Sequence, residues 1–183
     1  MPGREKAWFP EERGPDGHIV SGVMVLKKHL KWQSMLLCIL IPLVVGALAG
    51  WLIRDEMIYY KAMVMPLLSP PGWVFPAVWT LLYILMGIAS CLVYCADASQ
   101  PRKKRALILY GVQLGVNFIW PLLFFRFGLL WLSFFWLLLL IALVWACMTL
   151  FRYILPKAGK LMLPYLLWLF FAAYLNLGAA LLN

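Results

Sequence analysis

The chain has 183 residues, of which 65% are hydrophobic and 13% charged. A soluble domain of that length cannot hide so much apolar surface, so the composition excludes one and demands a bilayer. The formal net charge of +9 does not point to nucleic acid, because the basic residues gather at the ends of apolar runs, where topology and anionic headgroups account for them.

Residues 1–33 read as a polar cytoplasmic tail, disordered in part, with an approach ending in Lys27, Lys28 and Lys31. Residues 34–183 read as one domain. Its five apolar runs, at 34–53, 72–95, 105–125, 128–151 and 161–182, are each near the ~20 residues that cross a bilayer. Such runs must be helical, because the bilayer core leaves open backbone groups without partners. The fold class is therefore all-α, a bundle of five transmembrane helices with short antiparallel connections. Ala47-Leu48-Ala49 resembles a signal-peptidase site, but the polar stretch before the run is too long for an n-region, so the run is read as a span.

The first loop balances Arg54 and Lys61 against Asp55 and Glu56, while Arg102 to Arg105 and Arg152, Lys157 and Lys160 make the second and fourth connections basic. All of the basic segments fall on one side, which the positive-inside rule makes cytoplasmic. The N-terminus is expected inside a bacterial cell membrane and the C-terminus outside.

The entrance to the second span carries Pro70-Pro71, then Trp73, Pro76, Trp79 and Tyr83. Proline suits a first helical turn, where its missing N–H had no partner. Pro76, Trp79 and Tyr83 recur at i, i+3 and i+7, on one face. The third span carries Asn117, Trp120 and Pro121. The fifth carries Trp168, Ala172, Leu175 and Asn176 as a single stripe. An aromatic-lined apolar cavity suits a flat amphiphile such as a tetrapyrrole, or a sterol-like lipid. Asn117 and Asn176 serve equally well as interhelical hydrogen-bonding groups. Trp32, Trp51, Trp73 and Trp145 read as interface anchors or packing.

All seven acidic residues lie at or before Asp97, and both histidines, His18 and His29, precede the first span. The span interiors therefore offer no ionisable relay for coupled proton transport. They also lack paired carboxylates for acid–base work and a histidine ligand for haem or metal. Cys38, Cys91, Cys95 and Cys147 read as small apolar filler. The Gly46/Gly50 and Gly111/Gly115 pairs permit close helix approach, the first within the chain.

The segments 69–83, 110–125 and 164–176, in this order and spacing, resemble the translocator protein family, also called TspO or tryptophan-rich sensory proteins. The resemblance covers residues 35–183. It implies a five-helix membrane protein closed by its first loop, which binds porphyrins such as protoporphyrin IX and in some members sterols or aromatic drugs, with no cofactor required. Carried onto the matching positions, it implies a binding site of Tyr60, Pro70, Trp79, Tyr83, Asn117, Trp120, Trp168, Ala172 and Leu175. It also implies a homodimer through the third helix at Gly111 and Gly115. Several bacterial members degrade bound porphyrin with light and oxygen; in this chain Trp79 and Trp168 would be the catalytic pair. Transport of porphyrin or lipid is the remaining alternative. Two departures weigh toward binding: Tyr59-Tyr60 stands where many bacterial members have Trp-Tyr, and Leu68 where they often have Trp. Leu177 follows Asn176 and no basic residue follows Tyr174, so the animal proteins' cholesterol-recognition pattern is not matched.

Overall fold

A computed structural model describes residues 22–56 and 63–183, with side chains from Trp32 onward. Five helices account for most of it: α1 Gly22–Leu52, α2 Val74–Cys95, α3 Gln100–Pro121, α4 Leu130–Ile154 and α5 Pro156–Leu182. Each is long and apolar enough to cross a membrane, and no strand occurs among the described residues. Tyr59, Tyr60, Lys61 and residues 1–21 lie outside the described residues.

Prolines set several boundaries. Pro101 and Pro156 stand in the first turns of α3 and α5, which start ahead of the apolar runs because a helix can begin in polar sequence where proline pre-sets the dihedral. Pro121 closes α3, and the chain continues through one wide π turn, Leu122–Arg126. α1 starts at Gly22, twelve residues before the expected span. Its apolar part is Trp32–Leu52.

The helices contact one another in the cyclic order α1–α2–α5–α4–α3. The solid core lies among α2, α4 and α5. There Met86, Leu137, Leu140, Val144, Phe151, Met162, Tyr165 and Leu169 are fully buried. α1 is peripheral: 11% of its most apolar stretch is buried inside the protein, against 50% for α5. Gly111 and Gly115, the expected dimer contact, have open space where a Cβ would stand, so this part of α3 is available to a neighbour.

The second half of the first connection is strapped to α5. Val64 N–H donates to Asn183 Oδ1 and Asn183 Nδ2 donates to Val64 O, both at 3.0 Å. Tyr174 Oη donates to Leu67 O at 2.7 Å. A Cβ at Gly178 would come within 2.5 Å of Pro66, so the loop lies directly on this helix.

Candidate ligand-binding cavity

A cavity of about 660 Å³ opens between α1, α2 and α3, within the range of small-molecule sites. Small residues on α1 make the room: Gly46, Ala47, Ala49 and Gly50 line one side, with Leu43 and Ile53. Opposite stand Phe75, Pro76, Trp79, Thr80 and Tyr83 of α2. Asn117, Trp120 and Pro121 of α3, with Phe125 of the π turn, complete the wall.

One contact on the wall ties α1 to α2. The Tyr83 ring lies directly against Gly46, where any Cβ would overlap it. Asn117 Nδ2 donates to Tyr83 Oη at 3.3 Å, and Trp79 stacks on Tyr83 with ring centroids 5.5 Å apart. Tyr83 is thereby held by α1, α2 and α3 together. Trp120 is held from behind: its Nε1 donates to Asn176 Oδ1 at 3.1 Å, and Asn176 Nδ2 donates to Leu130 O at 2.9 Å. Asn176 thus ties α3, α4 and α5 from behind Trp120 and does not itself line the large cavity.

Of the expected site residues, Trp79, Tyr83, Asn117 and Trp120 share this wall. Ala172 and Leu175 instead line a separate void of about 20 Å³ with Met65, Phe75, Trp120, Phe124, Phe125 and Asn176. Phe75, Trp120 and Phe125 are common to both spaces. Trp168 packs edge-on to Phe75 at 6.0 Å, one side chain removed from the large cavity, with its buried Nε1 unpartnered. Pro70 is half-buried in the connection before α2 and does not line the wall, although Gly72 does. Tyr60 lies outside the described residues. The α1 residues and Phe75 were not singled out as ligand contacts by sequence reasoning. The run Gly46-Ala47-Leu48-Ala49-Gly50 was the available signal, since so many small residues on one span leave space beside it.

Among the described residues, Arg54 brings the one charged side chain to this wall. It pairs with exposed Asp55 at 3.3 Å and lies over the Trp51 ring at 5.5 Å. Both partners are at the surface, so the guanidinium can re-pair at small cost. The remaining polar groups on the wall are neutral. No group of three or more metal-ligating side chains occurs among the described residues. The described residues thus offer aromatic faces, small residues that leave room beside them, and a cation in Arg54.

The TspO/MBR family model matches residues 38–182. The chain is similar to the tryptophan-rich protein TspO of Chlorobaculum tepidum, 32% identical over 82% of this chain and 96% of the relative. It is also similar to the translocator protein homolog of Schizosaccharomyces pombe, 41% identical over 68% of this chain and 77% of that protein. The tryptophan-rich sensory protein of Cereibacter sphaeroides is 35% identical over 78% of this chain and 84% of its own length.

Proposed function

The chain belongs to the TspO/MBR family, and from that premise we propose that it is an integral membrane binding protein for a planar tetrapyrrole, with protoporphyrin IX as the test ligand. The observation that carries the reading is the cavity of about 660 Å³ walled by the stacked Trp79–Tyr83 pair and by Trp120. Flat aromatic walls favour a flat ligand through offset and edge contacts. Arg54 at the rim supplies the partner for a propionate, by a charge-assisted hydrogen bond.

The test is a dark titration of the purified protein with protoporphyrin IX, followed by tryptophan fluorescence and porphyrin absorption. Saturable quenching is expected. Arg54→Gln should weaken protoporphyrin binding by about five- to tenfold, the loss of one exposed charge-assisted contact. It should leave the dimethyl ester unaffected. No saturable binding overturns the proposal, and equal loss for acid and ester removes Arg54 from the site. Illuminating the dark-stable complex then addresses degradation. Bleaching no faster than in a protein-free control leaves the binding reading alone.

We place the end bearing Arg102–Arg105 and Lys157 in the cytoplasm, by the positive-inside rule. Reporters fused after Gln100 should read cytoplasmic and those after Asn183 external; the reverse pair overturns this orientation.

A further inference from the structure

We propose that Cys38 on α1 and Cys91 on α2 form an oxidisable pair, a modification site at which hydrogen peroxide closes a disulfide between the two helices. All four cysteines of the chain are free thiols. Three of them lie near one another, with the Cys91 thiol neighbouring those of Cys38 on α1 and Cys95 one turn along α2.

The backbone explains the closeness. Gly87 sits one turn before Cys91, and a Cβ there would stand 2.5 Å from Ile39 Cα and 2.7 Å from Cys38 O. The absence of a side chain at Gly87 lets α1 and α2 touch backbone to backbone. Gly87 packs on Cys38 and Ile39, and Cys91 lies one turn further along α2, about 6 Å at 1.5 Å per residue. Side chains lean toward their own helix N-terminus, so on these antiparallel helices Cys38 and Cys91 lean toward each other. A disulfide needs Cα atoms about 4.4–6.8 Å apart and facing Cβ vectors, and the proposed cross-link requires this pair to meet that condition. Cys91 and Cys95, on one helix, point the same way and do not face. Cys147 is buried on α4.

The chemistry balances without a cofactor. Cys38, the half-buried member, attacks peroxide: an S–O bond forms, the O–O bond breaks, and one water leaves behind a sulfenic acid. The Cys91 sulfur then displaces the sulfenic hydroxyl, the S–S bond forms, and a second water leaves. Two thiols lose two electrons and two protons, and one peroxide becomes two waters. The product pins the most peripheral helix to the core about two turns from the Gly46–Tyr83 contact. It is reversible by dithiothreitol.

The test uses the full chain in lipid nanodiscs without ligand, so its outcome is separate from that of the porphyrin titration. After peroxide, thiols counted in denaturant should fall from four to two and return to four with dithiothreitol. Peptide mapping of the unsubstituted protein should join Cys38 to the segment carrying Cys91. Cys95→Ala should still lose two thiols; Cys38→Ala and Cys91→Ala should form no cross-link. The thermal unfolding midpoint should rise on oxidation of the parent and not of Cys38→Ala. A Cys91–Cys95 bond, a cross-link between copies through Cys95, or over-oxidation of Cys38 without a cross-link overturns the proposal, and the peptide map reads all three without any substitution.

Discussion

Gly46→Leu is expected to reduce protoporphyrin affinity by at least about tenfold, or ~1.4 kcal/mol, while the helices remain assembled. Any Cβ at this position overlaps the Tyr83 ring. The ring must therefore swing away, which breaks its hydrogen bond from Asn117 and its stacking on Trp79. The direction open to it is the cavity, and the leucine itself adds volume to the same wall. Because α1 is peripheral, the bundle can relax without loss of the α2–α4–α5 core. The check is the dark titration beside circular dichroism. Tyr83→Ala in the Gly46→Leu background should restore part of the lost affinity, because it removes the clash; this coupling is what a double-mutant cycle isolates. A folded Gly46→Leu protein with parental affinity would show that the ligand does not use this cavity.

Asn176→Leu is expected to be among the most destabilising single changes in the chain. The amide accepts from Trp120 Nε1 at 3.1 Å and donates to Leu130 O at 2.9 Å, and the residue is 1% exposed. Removing it leaves the Trp120 indole N–H unpaired in a bilayer and takes one donor from Leu130 O, which still accepts from Ser133 Oγ at 2.8 Å. Each orphaned group costs about 1–3 kcal/mol in buried settings, although membrane hydrogen bonds average nearer ~0.6 kcal/mol. A loss of roughly 1–3 kcal/mol follows, read as a lower unfolding midpoint in detergent. Asn176→Gln, which keeps both functions on a longer arm, should recover part of it. Porphyrin binding should weaken as well, because Trp120 loses the anchor that sets its ring. An unchanged midpoint would mean that water or detergent satisfies the Trp120 indole N–H.

The architecture was legible because each span is a long apolar run, and lipid leaves such a run no choice but helix. Its limits were less so. α3 begins at Gln100 and α5 at Pro156 because proline starts a helix in polar sequence, a signal that hydropathy does not carry. The four wall residues named from the sequence, Trp79, Tyr83, Asn117 and Trp120, were legible because each stands on a helical face with other polar or aromatic groups. The α5 stripe is real as a face, and Ala172 and Leu175 are buried on it. Which space that face meets depends on Phe75 and Phe125, which come from other helices and divide the large cavity from the small void. Periodicity within one helix contains nothing about a partition built by two others. Gly46 and Gly50 likewise read as a packing pair. Gly46 does pack, but against a tyrosine ring, while Gly50 faces empty space. Gln113 and Tyr165 were passed over; both are fully buried and joined by a 3.2 Å hydrogen bond from the phenol to the amide. A glutamine amid apolar residues in a span was the available sign.

The ring order of the helices also governs how this protein can be made. The three helices that wall the cavity are synthesised first, yet α2 and α3 are braced by α5, which is synthesised last. Until α5 enters the bilayer, the Trp120 indole lacks Asn176 and Phe75 lacks the edge of Trp168. Insertion and assembly are therefore successive events, as in the two-stage view of helical membrane proteins. A chain stalled one helix short would hold every wall residue and lack the brace behind them. If the cavity binds the proposed ligand, the brace behind its wall comes from the 27-residue α5, which touches the large cavity nowhere along that wall.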